Sequence, residues 1–214
     1  TAFTLVLLSD ERRRQYSSSE GLLADEADWG PKVEPVNTVP SMAEYRKLVE
    51  RLYSLKMVRF LPVVEAVNGL FCVEKDGDLL RLIVDCRPSN RKFCPPDKIE
   101  LPGPDAFAQL QAEDAAGVYV SKYDVRSAFY RLQAPEWMVP FLAIPKVPGA
   151  WFGLDIEWVY PCFTVLPMGH SHSALLCQEA HANVLRRAGF GSEQRISSGG
   201  NRWIGRVPRF FVYL

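Results

Sequence analysis

The sequence has no excess of charge of either sign, since 25 lysines and arginines balance 25 aspartates and glutamates over 214 residues. It therefore lacks a general basic field, and any contact with nucleic acid must come from local patches. No apolar run approaches the roughly 20 residues of a membrane-spanning helix, which predicts a protein without a membrane partner. The five cysteines form neither a CxxC pair nor a Cys/His cluster. This argues against a zinc site or a disulfide framework and predicts reduced thiols in an intracellular protein.

The composition is that of an ordinary globular protein, 48% hydrophobic and 23% charged, which is sufficient for a sizeable core. Residues 1–40 are charged and interrupted by proline, which is typical of an extension that wraps a domain. Ser41 followed three residues later by Glu44 forms a capping-box pattern and predicts the start of a helix. One face of that helix carries Tyr45, Leu48, Leu52 and Leu55.

A β-hairpin is predicted in GLFCVEKDGDLLRLIVDCRPSN, because two β-forming runs flank Asp76–Gly77. Lys75 lies at the tip of this hairpin, with Asp76 and Asp78, and Arg81 lies in the return strand. Basic groups on such a β-finger could bind a triphosphate, Arg through its planar fork and Lys as a point charge. A solvated hairpin face explains the same residues equally well.

The remaining chain predicts helices and strands in irregular alternation. Four prolines make residues 94–104 a loop, and residues 105–112 form a short helix. Further predictions are a largely buried strand at Gly117–Val125, two strands within residues 141–165 joined by a Pro148–Gly149 turn, a helix over residues 172–190 stopped by Gly189, and a last strand at Val207–Leu214. The inward face of the second helix is predicted to carry Ala174, Leu175, Cys177, Ala180, Val184 and Leu185. This order favours α+β packing over a doubly wound sheet.

Two further segments contain candidate chemistry. Asp124 ends a predicted buried strand, where a carboxylate is costly unless it is paired or binds a metal, although a lone strand-end aspartate more often makes a turn. The Pro167–Gly169 turn leads into a helix whose first-turn amides could face a phosphate or a base, or could simply be capped. His170 and His172 in that turn are expected to serve packing or face solvent, and not to bind a metal.

Taken in order, these segments resemble one family, the reverse transcriptases, which are the RNA-directed DNA polymerases of retroelements and retroviruses. RLIVDCRPSN resembles the second fingers strand, YDVRSAFY the palm motif with the first catalytic aspartate, and VLPMGHSHSALLCQEAHANVL the motif that shapes the nucleotide pocket. The resemblance implies an α+β right-hand polymerase fold that is incomplete. Residues 1–40 would be an N-terminal extension, 41–116 a fingers-like region and 117–214 a truncated palm.

The resemblance also implies a role for each matching residue. Asp124 would be the catalytic, metal-binding carboxylate, and the Val125 carbonyl would complete its side of the metal site. Phe129 would be the steric gate beneath the sugar, which favours dNTPs over rNTPs. Arg81 would bind the triphosphate with Lys75 as its partner, an alignment that is loose by one residue at Lys75. Met168 and Gly169 would face the nascent base pair, although many family members have glutamine in place of this methionine.

The implied reaction is attack of a primer 3′-hydroxyl on the α-phosphate of a dNTP, directed by an RNA or DNA template. Two Mg²⁺ ions would activate the hydroxyl and stabilise the pyrophosphate, and two ions need more than one carboxylate. In the family the other carboxylates are adjacent aspartates after an aromatic-x pair, and this sequence has no aspartate after Asp155. Because Tyr213–Leu214 matches the aromatic-x pair, the sequence is expected to be an N-terminal fragment that is itself inactive.

Alternatives from other classes remain open at this point. A domesticated, non-catalytic module could keep this fold to bind nucleic acid or protein, as the neutral net charge and Met168 would suggest. The presence of both Asp124 and Phe129 speaks against such a module. Template contacts would be mostly to the phosphate backbone. The candidate patches for them are Arg87–Lys92 and Asn201–Arg209, each of which could equally be a solvated loop.

Overall fold

The computed structural model describes residues 2–38, 41–75, 77, 80–99, 103–108, 111–112, 121–196, 203–204, 209–210 and 212. They form a mixed α+β fold whose longer strand pairings are antiparallel. The α-helices are α1 (Thr4–Leu7), α2 (Asp10–Gln15), α3 (Met42–Ser54), α4 (Arg87–Asn90), α5 (Pro104–Ala108) and α6 (Ser171–Arg187). Short 3₁₀ helices span Glu26–Asp28, Phe129–Arg131, Glu136–Phe141, Gly149–Phe152 and Ser192–Gln194. None of the described helices is both long enough and apolar enough to cross a membrane.

The described strands are mostly short. They are β1 (Ala2–Phe3), β2 (Val58–Leu61), β3 (Gly69–Glu74), β4 (Leu80–Asp85), β5 (Gln111–Ala112), β6 (Leu132–Gln133), β7 (Val147–Pro148), β8 (Trp158–Phe163) and β9 (Trp203–Ile204). β3 and β4 form an antiparallel hairpin, and β8 pairs antiparallel with both β2 and β7. The two-residue pairs β1–β6 and β5–β9 are parallel. The predicted helix over residues 105–112 is observed up to Ala108 and is wrong at Gln111–Ala112, which pairs with β9, and residues 109 and 110 lie outside the described residues.

Helix α3 confirms the predicted start at Ser41. The Glu44 amide donates to Ser41 Oγ (3.2 Å), whereas the Glu44 carboxylate accepts from Lys47 and leaves the capping box half formed. Tyr45 and Leu52 are buried as expected. The third buried residue of the helix is Val49, and Leu55 is 48% exposed because the helix has ended at Ser54.

The β3–β4 hairpin confirms the second local prediction. Its register pairs Gly69 with Asp85 at the base and Glu74 with Leu80 at the far end. Gly77 adopts the left-handed conformation (φ +71°) that a tight connection favours. The base is buried and the far half is exposed on both strands, so the hairpin projects as a finger.

The two strands predicted within residues 141–165 differ from those observed. β8 is a regular strand, but its partner β7 has only two residues and a 3₁₀ helix follows directly at Gly149–Phe152. Three prolines at 140, 145 and 148 explain this, because proline lacks the amide that a longer strand would use. The connection is therefore a nine-residue loop over 149–157 and not a tight Pro148–Gly149 turn.

Helix α6 is the longest element and lies in the main core. Leu175, Cys177 and Ala180 are buried as predicted, and Gly189 ends the segment with a φ of +93°. Val184 is 46% exposed, which contradicts its predicted inward orientation, because the neighbouring Leu185 is the side chain of this turn that packs against the buried cluster of Ala182, Phe210 and Val212.

Residues 2–38 contribute to the same core and are more than a surface extension. Leu8, Tyr16 and Leu22 are all at most 3% exposed and belong to the main hydrophobic cluster. Tyr16 donates a hydrogen bond to His172 Nδ1 (2.7 Å), which joins the N-terminal segment to α6.

Two predicted strands are only partly described. Residues 117–120 of the predicted Gly117–Val125 strand lie outside the described residues, and 121–125 have no regular secondary structure. Of the predicted strand Val207–Leu214, the structure describes only residues 209, 210 and 212. Phe210 there makes an isolated parallel bridge with Arg195.

Candidate functional site

Backbone contacts bring the predicted hairpin strand and the Pro167–Gly169 turn together. The Val84 amide donates to the Met168 carbonyl oxygen (3.0 Å). Gly169 adopts a φ of +121°, and a Cβ there would lie 2.0 Å from the Val84 carbonyl oxygen. Asn90 completes the contact, since its Nδ2 donates to the Gly169 carbonyl (3.0 Å) and its Oδ1 accepts from the Ser171 amide (2.9 Å).

Tyr130 adds the third sequence segment to this place. Its hydroxyl donates to the Leu82 carbonyl of β4 (2.9 Å). Burial raises the pKa of Tyr130 to about 12, against an opposing hydrogen bond with the Met168 backbone. We call the contact set formed by Leu82, Val84, Tyr130, Met168 and Gly169 the junction. All three segments singled out in the sequence therefore meet there.

Phe129 lies beside the junction. Its ring is half-buried and packs against the main core, and its 3₁₀ helix contacts α6. The chain reaches this position through a turn in which Ser127 has a left-handed φ of +55° and Arg131 Nε donates to the Arg126 carbonyl (2.7 Å). A half-buried ring one residue before Tyr130 can offer one face to a ligand.

Asp124 and Val125 precede that turn, and both are exposed. The expectation that Asp124 ends a buried strand is wrong for residues 121–125, because they have no strand partner among the described residues. The Asp124 carboxylate makes no hydrogen bond or ion pair with a described residue. Its oxygens are accessible to solvent. The sequence argument that a buried carboxylate needs a partner or a metal therefore does not apply to Asp124.

Lys75 and Arg81 lie on the exposed half of the hairpin. Arg81 pairs across the strands with Val73, and both cations are solvent-exposed without an ion pair to a described residue. The solvated hairpin face is thus the state that the structure shows. Both side chains are free to reach a ligand, but no described contact connects them to the junction.

The amides at the start of α6 are already satisfied. The Ser171 amide donates to Asn90, the His172 amide to His170 Nδ1 (3.3 Å) and the Ser173 amide to the His170 carbonyl (3.0 Å). The predicted alternative of a capped helix is therefore confirmed. These three amides are not free to bind a phosphate at this turn.

His170 and His172 are both buried. The prediction that they serve packing is therefore confirmed, and the alternative that they face solvent is wrong. His172 lies between Tyr16 and the Cys94 carbonyl (2.9 Å). Burial lowers the pKa of His170 to about 3, and its Nε2 has no hydrogen-bond partner among the described residues. Within the described residues, no group of three His, Cys, Asp or Glu side chains could hold a metal.

Sequence reasoning missed the clamp at the end of β4. Asp85 is buried and accepts from the Val36 amide (2.7 Å) and from the Arg87 guanidinium (2.8 and 2.7 Å). The hydrogen bond with Arg87 is the main reason that the pKa of Asp85 falls to about 2. The only sign of this clamp in the sequence is the spacing of Asp85 and Arg87, two residues apart at the end of a predicted strand.

The Arg87–Lys92 patch is largely engaged within the chain. Besides the Arg87 pair, Arg91 donates to the Gly30 carbonyl (3.1 Å) and Lys92 lies 4.1 Å from the Trp29 ring centroid. Most of the Asn201–Arg209 patch lies outside the described residues.

Comparison of the sequence with protein-family models and with curated proteins finds no match.

Proposed function

We propose that the chain provides the fingers and part of the palm of an RNA-directed DNA polymerase of the reverse-transcriptase type. The complete enzyme would transfer a nucleotidyl group from a dNTP to a primer 3′-hydroxyl on an RNA or DNA template. The junction is the observation that carries this proposal. Three segments that resemble the family's motifs, and that are far apart in the sequence, meet there through the Val84–Met168 and Tyr130–Leu82 hydrogen bonds.

The exposed groups around the junction suggest how a nucleotide would bind. Arg81 and Lys75 on the hairpin would hold the triphosphate, by fork geometry and by point charge respectively. Phe129 would lie under the sugar and exclude a 2′-hydroxyl. Met168 and Gly169 would face the base pair.

The residues present fit only one side of a two-metal site. Asp124 has accessible carboxylate oxygens, which suit Mg²⁺. Within the described residues no group of three or more His, Cys, Asp or Glu side chains could hold a metal, so we assign no catalytic step to this chain. When bound, the ions would supply activation of the primer hydroxyl and stabilisation of the leaving pyrophosphate. A complete two-metal site would need further carboxylates, which we do not assign to any described residue.

Primer extension tests the proposal. A protein that continues beyond Leu214 should extend oligo(dT) on poly(rA), and Asp124→Asn should reduce extension to background. Phe129→Ala should lower the preference for dNTP over rNTP about 10- to 100-fold, because the pocket then admits the 2′-hydroxyl. Asp155→Asn is the matched control, since Asp155 is also an exposed aspartate but lies in the 149–157 loop.

Full extension by Asp124→Asn would contradict the role of that residue. No extension by any version, together with retained binding of template and primer, would favour a non-catalytic nucleic-acid-binding module.

A further inference from the structure

Residues 2–23, which we call the N-terminal arm, are joined to helix α6 near both ends of that helix. Near the end of α6, Asn183 Nδ2 and Arg187 Nη2 donate to backbone carbonyls of the arm (2.9 and 2.8 Å). At the start of α6, the described hydrogen bond between arm and helix is the one from the Tyr16 hydroxyl to His172 Nδ1 (2.7 Å). Both side chains of this second contact are buried, so water does not compete for it.

The partners of His172 determine which of its ring nitrogens carries the proton. The Cys94 carbonyl can only accept a hydrogen bond, so the His172 nitrogen that faces it, Nε2 (2.9 Å), must be protonated. In the neutral ring Nδ1 is then bare and accepts from Tyr16. A proton added to His172 would lie on Nδ1 and face the Tyr16 oxygen. The Tyr16 hydroxyl would lose its acceptor, and it makes no other hydrogen bond with a described residue.

A second buried histidine makes a charge on His172 still less favourable. The His170 ring lies 5.8 Å from the His172 ring, and both rings contact Phe93 (4.7 and 5.5 Å between centroids). His170 Nδ1 accepts from the His172 amide (3.3 Å), so it too is bare in the neutral ring. Its Nε2 is buried without a partner among the described residues. The pair is therefore accommodated only as two neutral rings.

The charged groups around this pair do not compensate a proton on it. Asp97 favours a charge on His172 but forms an ion pair with Arg12 of α2. Glu179 of α6 lies 3.6 Å from Arg186. Neither carboxylate makes a hydrogen bond or an ion pair with the two rings. Burial lowers the pKa of His172 more than its surroundings raise it.

We infer that His172 is a proton-sensitive latch: its neutral ring holds the N-terminal arm on α6, and its protonation lets the arm detach while the sheet of β2, β8 and β7 stays folded. Strand β1 of the arm pairs with β6 and not with that sheet. None of the residues that form the junction takes part in the latch. The inference therefore goes beyond the proposed function and does not depend on it.

Hydrogen exchange of the 214-residue chain tests the latch between about pH 7 and about pH 5, after correction for the intrinsic exchange rate. The Tyr16 amide, which donates to the Arg12 carbonyl (3.0 Å), reports on the arm, and the Phe163 amide, which donates to the Leu142 carbonyl (3.0 Å), reports on the sheet. The opening constant at Tyr16 should exceed that at Phe163 and stay unchanged in dilute urea, as expected for a local opening. It should rise about tenfold per pH unit below about pH 6.5, because His172 takes up one proton on opening.

Substitution of the latch residues separates its titration from its packing. His172→Gln should remove this tenfold gain per pH unit, because glutamine does not titrate. His181→Gln is the matched control, since His181 is the third histidine of the sequence and lies on the same helix, where its Nδ1 faces Cys177 Sγ (3.6 Å). It should leave the pH dependence unchanged. Tyr16→Phe keeps the ring but removes the hydrogen bond, and should raise the opening constant of the arm about tenfold near pH 7.

Nitrogen-15 NMR of the imidazoles checks the geometry without any substitution. Near neutral pH His172 should be protonated at Nε2 and bare at Nδ1, and the reverse tautomer would overturn the inference. Equal opening constants at Tyr16 and Phe163 would also overturn it, because the arm would then open only with the whole fold. The same holds for equal pH dependence in His172→Gln and His181→Gln when thermal melts show both folded. Where His172→Gln does not fold, an unchanged opening constant in Tyr16→Phe has the same consequence.

Discussion

Replacing Gly169 by alanine should selectively break the contact between β4 and the Pro167–Gly169 turn. The added Cβ would lie 2.0 Å from the Val84 carbonyl oxygen, whereas ordinary van der Waals contact begins at 3.4 Å. The two backbones must therefore separate by about 1.4 Å, the difference between those two distances. That displacement removes the hydrogen bond between the Val84 amide and the Met168 carbonyl.

The cost of this substitution has two parts. A φ of +121° is unfavourable for alanine by about 1–3 kcal/mol, and the lost hydrogen bond contributes about 1 kcal/mol more. We therefore expect the free energy of unfolding to fall by about 2–4 kcal/mol, which corresponds to a Tm lower by about 5–15 °C for a chain of this size. Gly153→Ala is the control, since Gly153 has a φ of +70° but nothing within 4 Å of a new Cβ. It should cost only about 1 kcal/mol.

Urea unfolding followed by tryptophan fluorescence measures both variants, and amide hydrogen exchange locates the effect. Only Gly169→Ala should remove protection of the Val84 amide. Equal destabilisation by the two variants, with the Val84 amide still protected, would refute the close approach of the two backbones.

Three further outcomes are expected. Because the pKa of His170 is about 3 when folded and near 6.5 when unfolded, the unfolded chain binds more protons between these values. Lowering the pH from about 7 to about 5 should therefore reduce stability by about 2 kcal/mol, and His170→Asn should flatten this dependence in urea titrations; an unchanged slope would contradict it. Asp85→Ala should cost about 2 kcal/mol or more, because the Val36 amide loses its partner, and should speed tryptic cleavage after Lys32; unchanged proteolysis would contradict the clamp. Tyr130→Phe should lower the free energy of unfolding by about 1 kcal/mol in calorimetry, because the hydrogen bond to the Leu82 carbonyl is lost while the ring at position 130 still packs against the core.

Local signals in the sequence were sufficient for the elements whose ends depend on one or two residues. Ser41 starts α3, Gly189 ends the segment after α6, and Gly77 lies between β3 and β4. Each of these signals acts within a few residues and depends little on the rest of the fold. Where the outcome depended on a partner strand, as for residues 121–125, the pattern of apolar residues was misleading.

The candidate site was predictable in part for a related reason. Sequence resemblance placed Met168, Gly169 and the segment of Tyr130 in one functional region, and the junction brings them together. The hydrogen bonds that do so use backbone carbonyls and amides, which leave no mark in a side-chain pattern. The clamp at Asp85 depends on a contact with Val36, 49 residues earlier, and no local rule could anticipate it.

The backbone character of the junction makes it independent of the side chain at position 168. The turn contributes the Met168 carbonyl to Val84 and the Gly169 carbonyl to Asn90, and neither interaction depends on the Met168 side chain. Glycine at 169 is fixed by the 2.0 Å approach to Val84, whereas the side chain at 168 is only half-buried. Substitution of Met168 by glutamine should therefore preserve the stability of the fold, and any effect should appear in the interaction of the turn with a ligand.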